Sequence, residues 1–212
     1  MVAREDTHDQ EATRFCRALY GDGTPGRVPI WTKSDRLTQY VEASDPDKVG
    51  RTVSHLASSQ DVYIGVGLQP RDLGPYRRGT AKDVIGIPGI WADVDVRGPA
   101  HTNPELPPTK EAALALISEF PLPPTFIVDS GHGLQPWWLF QEPWIFRDED
   151  ERRKAQTLVR QFQATLRDIA GDHGWRIDNT SDLARVMRPP GTWNRKLEPV
   201  PVRIVETNHC AG

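Results

Sequence analysis

Ile87-Pro88-Gly89-Ile90-Trp91-Ala92-Asp93-Val94-Asp95 is an apolar run that ends in two acids separated by a valine. On a strand, side chains two apart share a face, so the carboxylates of Asp93 and Asp95 are expected to converge. Two acids side by side on an apolar strand repel each other unless a cation lies between them, and hard oxygen ligands of this kind suit Mg²⁺ or Mn²⁺. The residues alone leave a second reading open, a strand running out into solvent with Arg97 neutralising one acid.

Composition narrows the function classes. The 212 residues make one large domain or two small ones, and either has room for a core. A net charge of −3 argues against a protein held on nucleic acid by overall charge, which confines any polynucleotide site to a local basic groove. No run of 18 apolar residues is present, and the charged stretch Met1 to Gln10 does not read as a signal peptide, so a cytoplasmic protein without membrane contact is expected. The two cysteines, Cys16 and Cys210, lie at opposite ends, and the six histidines form no zinc pattern. Neither a disulfide nor a structural zinc is expected.

Nineteen prolines and seventeen glycines punctuate the chain into short elements in which helices and strands alternate. Gln10 to Leu19 reads as a helix, Val28 to Lys33 and Leu37 to Glu42 as strands, Asp45 as the cap of a helix through about Ser58, and Asp61 to Val66 as a strand. The polar stretch Gln69 to Asp83, with Arg71, Arg77, Arg78 and Lys82, reads as a basic loop. Thr109 starts a helix that ends near Phe120, and the strands Thr125 to Asp129 and Leu134 to Phe140 are joined by Ser130-Gly131-His132-Gly133. So short a link implies a hairpin with backbone N–H groups free to face a ligand. A long helix follows, capped by Asp148 with Glu151 and carrying Ala155, Leu158, Val159, Phe162, Leu166 and Ile169 at helical spacing. Its basic residues read as a solvated face. Ser181 to Met187 reads as a short helix and Val200 to Val205 as a closing strand. Trp137 and Trp138 alternate, so at least one belongs to the core.

Three segments carry polar groups that a packed core would not want: Asp93 with Asp95, Ser130 to Gln135, and Asp178 to Lys196. In this order they resemble the archaeo-eukaryotic primase superfamily, specifically the primase–polymerase domains of phage and plasmid replication proteins, often fused to a helicase. Ile90 to Asp95 is similar to the superfamily's apolar strand ending in acid-x-acid, and Ser130-Gly131-His132-Gly133-Leu134-Gln135 to its serine–glycine hairpin. Ile177-Asp178 with Leu183 to Lys196 is similar to its third acid and the basic turn behind it. The likeness spans Ile87 to Val205; the first eighty residues match only in the alternation of elements.

The resemblance implies an α/β (α+β) primase fold over residues 1–212, with an N-terminal α/β unit at about 10–83 and an RNA-recognition-motif-like catalytic half at about 84–206. It implies a piece of a longer replication protein, encoded by a bacterial cell, phage or plasmid. The implied activity is template-directed nucleotidyl transfer, that of a DNA primase or DNA polymerase acting on nucleoside triphosphates, a single-stranded DNA template and a primer strand. Asp93, Asp95 and Asp178 are then the catalytic metal ligands for Mg²⁺ or Mn²⁺, with Asp182 as the fallback third acid. Ser130, His132, Gln135, Arg185, Arg188, Asn194 and Lys196 are the nucleotide-binding set. Gln135 stands where many relatives carry histidine, and His132 is expected to restore the lost charge. Alone, His132 reads as an exposed turn histidine, and Arg185 and Arg188 as partners of Asp178 or Asp182. Two rivals remain, an Asp-x-Asp nucleotide-sugar glycosyltransferase and a non-catalytic DNA-binding module of replication initiation.

Overall fold

The structure, a computed structural model, describes residues 2–207, with side chains over 10–205; Cys210 lies outside them. Helix α1 (Val2–Tyr20) leads into the hairpin of β1 (Arg27–Thr32) and β2 (Thr38–Glu42). Asp45 then accepts a hydrogen bond from Lys48 N at 2.9 Å, with Pro46 in the first helical position, and so opens α2 (Pro46–Ala57). Strand β3 (Val62–Gly65) returns beside β1.

The quoted apolar run forms β4 (Gly86–Trp91) and, after a break at Ala92 and Asp93, the two-residue β5 (Val94–Asp95). Pro88 has no amide proton to give, and the ladder shifts register at its position. Gly89 lies so close to the neighbouring strand that a Cβ would meet Trp138 O at 2.3 Å. Helix α3 (Lys110–Ser118), capped by Thr109, is followed by β6 (Phe126–Asp129), β7 (Gly133–Ile145) and α4 (Glu149–Asp172), whose first turn is capped by Asp148. The chain closes with β8 (Val186–Met187), β9 (Thr192–Asn194) and β10 (Val200–Thr207).

Two antiparallel sheets result, one ordered β2-β1-β3-β8 and one ordered β4-β7-β6-β10-β9 with β5 added on β7. Strand β8 comes late in the chain yet completes the first sheet, beside β3. A single apolar core spans both sheets: Phe15 of α1 meets Phe126 and Trp137 of the second sheet edge-on at 5.9 and 5.5 Å. Trp137 and Trp138 are both buried, so the second sheet is covered on both faces. Among the described residues no helix is long and apolar enough to cross a membrane.

Two local expectations change and a third is kept. Ser181 to Met187 is not a helix: Asp182 accepts from Ala184 N at 3.0 Å and from Arg185 N through its carbonyl at 2.8 Å, closing a turn, and Val186 and Met187 satisfy their backbone in the first sheet. Leu158 of α4 is 38% exposed, while Gln163 is buried in the apolar stripe. The basic face of α4 is solvated, with Arg152 on Glu149 and Arg153 on Asp150.

Candidate active site

The break after β4 exists because Trp91 is bound from two sides. Its indole N–H donates to Thr180 O at 2.8 Å, and its carbonyl accepts from Gln163 Nε2 at 2.7 Å. The other end of the Gln163 amide accepts from Thr180 N at 3.0 Å. One buried amide thus ties the segment carrying Asp93 to the segment carrying Asp178.

The hairpin between β6 and β7 comes next. Ser130 N and Oγ both donate to Gly133 O, at 3.0 and 3.1 Å, and Gly131 takes φ +95°, a backbone that favours glycine. Gly133 lets β5 approach: a Cβ there would meet Val94 O at 2.6 Å. Across β7, Gln135 Nε2 reaches Asp93 Oδ1 at 3.4 Å, and its Oε1 is buried with no partner. Asn194 donates to Ser130 O at 2.7 Å and accepts from Lys196 N at 3.1 Å, clipping the basic turn to the hairpin.

Each acid of the pair has a cationic or imidazole neighbour. Arg185 Nη2 lies 3.5 Å from Asp93, and His101 Nδ1 lies 3.2 Å from Asp95. Lys196 Nζ then reaches His101 Nε2 at 3.2 Å, and the rings of His101 and His132 are 6.4 Å apart. Burial pushes the Asp93 carboxyl above its usual range against the pull of Arg185 and Gln135, with Asp178 adding to the rise. Asp95 is pushed up to about 7 by burial and then by the charges of Asp93 and Asp178. Burial first and Lys196 second hold His132 and His101 below the ordinary histidine value. In the free site both shifts favour the neutral imidazole.

The structure brings together Asp93, Asp95, Ser130, His132, Gln135, Arg185, Asn194 and Lys196, with the exposed Asp178 near enough to act electrostatically on both paired acids. Asp182 is exposed and its carboxylate is occupied by the turn it closes. Arg188 partners neither Asp178 nor Asp182: it is 5% exposed, bonded to Asp61 at 2.5 Å and stacked over Tyr63 at 4.4 Å. Asp61 also accepts from Arg195 N at 3.0 Å. Burial raises its carboxyl, but that amide and the Arg188 guanidinium outweigh burial and hold it below its usual range.

Among the described residues no three His, Cys, Asp or Glu side chains are gathered tightly enough to enclose an ion. The donor chemistry nevertheless fits Mg²⁺ or Mn²⁺: two carboxylates whose charges burial and Asp178 disfavour, Asp95 being raised by Asp93 as well, beside a buried amide oxygen with no partner. Binding would require Arg185 and His101 to swing away.

No family model matches the chain, and no curated protein matches it significantly. Among solved structures it is similar to the cyanophage S-2L primase–polymerase, archaeo-eukaryotic primase domain, at TM-score 0.57 and 18% identity, over 94% of this chain and 90% of that one. The chain has the archaeo-eukaryotic primase fold. A second primase-fold structure, the catalytic domain of primase RepB′ in complex with initiator DNA, matches at TM-score 0.51 and 15% identity, over 94% of this chain and 85% of that one. In this primase fold, sequence reasoning missed His101, Asp61 and Gln163. Only Gln163 carried a signal, a polar residue four after Val159 within the apolar stripe of α4.

Proposed function

We propose that this chain is a template-directed nucleotidyltransferase, a DNA primase–polymerase of phage or plasmid-type replication. The observation that carries the reading is the pair Asp93 and Asp95, with Asp178 near enough to act on both electrostatically, beside a glycine hairpin and a basic turn. Two divalent ions held by these carboxylates would activate a primer 3′-hydroxyl and neutralise the departing pyrophosphate. Asp93 and Asp95 would hold the ions, and Asp178 would be the third ligand, on the side of the attacking hydroxyl.

The rest of the site serves the triphosphate. Arg185, released from Asp93, and Lys196 at the exposed mouth neutralise the polyanion. His132 and Gln135 offer uncharged donors. Ser130 and Asn194, whose polar atoms hold the hairpin to the basic turn, position those donors more than they bind. Arg188, matched by Asp61, fastens the basic turn to the first sheet.

Nucleoside triphosphates, a primer strand and a single-stranded DNA template are the partners, with a fused or associated helicase. The DNA complex of the RepB′ catalytic domain supports the DNA partner. Incorporation of labelled deoxy- and ribonucleotides on a primed and an unprimed single strand, with Mn²⁺ or Mg²⁺, tests the reading. Metal-dependent product is expected from the wild type and none from Asp93→Asn. Strand binding without incorporation under any of these conditions would leave a binding module.

A further inference from the structure

The first sheet has a feature that the acid site does not use. Trp31 and Tyr63 are register partners on β1 and β3, so their rings stand side by side on one face, 5.3 Å apart between centroids. Both are only partly buried, in a sheet whose other face packs on the core. The Arg78 guanidinium covers Trp31 at 4.7 Å, and Arg188 covers Tyr63 at 4.4 Å.

The loop above this face is basic. Arg71, Arg77, Arg78 and Lys82 are exposed, as is Lys33 after β1, and among the described residues none of the five is in an ion pair. The loop's acids are engaged locally, Asp72 by Gly74 N and Asp83 by Thr80. Tyr76, at the tip, is 82% exposed. A local excess of cations beside flat aromatic rings, on a chain of net charge −3, is complementary to a polyanion carrying planar bases. A peptide or lipid would leave either the rings or the cations without a partner.

The face also runs into the acid site. Strand β3 pairs with β8, and Val66 N donates to Arg185 O at 2.9 Å, while the Arg185 guanidinium lies on Asp93. A strand on Trp31 and Tyr63 would therefore be led toward the acids along one sheet.

We infer that Trp31, with Arg78 and the basic loop Gln69 to Asp83, forms a stacking platform for single-stranded nucleic acid, a base replacing the Arg78 guanidinium on the indole while Arg78 turns to a phosphate. The inference rests on the nucleotidyl-transfer reading only for the direction in which the strand is led. Stacking one base on such a ring is worth roughly a 5- to 150-fold change in affinity.

The test is fluorescence anisotropy with labelled oligo-dT and with an abasic strand of equal length, in chelator, so that no catalysis is needed. Trp31→Ala is expected to weaken oligo-dT binding about tenfold or more and abasic binding little, and Trp31→Phe to retain most of the affinity for both. Arg78→Ala is expected to lower the salt dependence by about one phosphate contact. Circular dichroism and melting confirm that each variant is folded. Unchanged oligo-dT binding by Trp31→Ala, or an equal loss on both strands, overturns the platform. Primer extension by the wild type alongside that result leaves the polymerase reading standing; Trp31-dependent binding with no extension by the wild type sinks the polymerase reading and keeps the platform.

Discussion

The indole of Trp91 donates to the carbonyl of Thr180 at 2.8 Å, across 89 residues of sequence, and Gln163 doubles that tie from α4. Trp91 precedes Asp93 by two residues and Thr180 follows Asp178 by two, so this contact sets the spacing of the proposed ligands.

Gln163→Leu should therefore act on both stability and rate. It leaves Trp91 O and Thr180 N without their side-chain partner, a loss of about 1–3 kcal/mol. Incorporation should fall about tenfold or more in kcat with little change in nucleotide KM, because the acids are misplaced and the phosphate groups are not. Urea unfolding and steady-state incorporation measure the two effects; a loss of stability with unchanged kcat would remove the positioning role.

Asp95→Asn should stabilise the metal-free protein while abolishing metal-dependent incorporation. The folded-state carboxyl sits at about 7, above its unfolded value near 3.9. A raised carboxyl stabilises fully below the unfolded value, and that contribution is lost as pH rises toward 7. The variant escapes this loss, so the two melting temperatures should agree near pH 4 and separate progressively up to pH 8, the difference in stability being bounded at about 4 kcal/mol. Mn²⁺ should raise the wild-type melting temperature and leave that of the variant unchanged. Melts in chelator and in Mn²⁺ check both statements.

Lys196→Ala and Arg188→Ala should separate cleanly. Lys196 is exposed at the mouth of the site, and its loss should raise nucleotide KM about tenfold, in line with 1.5–3 kcal/mol for a charge-assisted hydrogen bond, without affecting folding. Arg188 is buried against Asp61, and its removal strands that carboxylate, at about 3 kcal/mol of stability. Denaturant unfolding with nucleotide titration distinguishes them, and a stable Arg188→Ala with raised KM would return Arg188 to the phosphates.

Gln135 offers a narrower check. Gln135→His should retain incorporation and acquire a pH dependence between about 6 and 7, where histidine titrates. Gln135→Leu loses the donor and should raise nucleotide KM. If the leucine variant matches the wild type in kcat and KM across that range, Gln135 is only a strand residue beside Asp93.

Local chemistry made most elements legible without coordinates. Asp45, Thr109 and Asp148 each cap a helix through a bond to an amide three residues away, and the hairpin at Ser130 to Gly133 follows from its length and glycines. The pairing of Asp93 with Asp95 was likewise legible from their spacing, although Asp93 lies in the break between β4 and β5. Ser181 to Met187 misread as a helix because nothing nearby announces that Val186 and Met187 complete a sheet begun at Arg27. Arg188 on Asp61, 127 residues apart, and His101 on Asp95 were decided by tertiary structure alone. An ion pair or a buried amide bond depends on which surfaces the folded core brings within about 3 Å. Periodicity and capping act over a few residues, so they specify the acids and the hairpin but leave open what neutralises each charge.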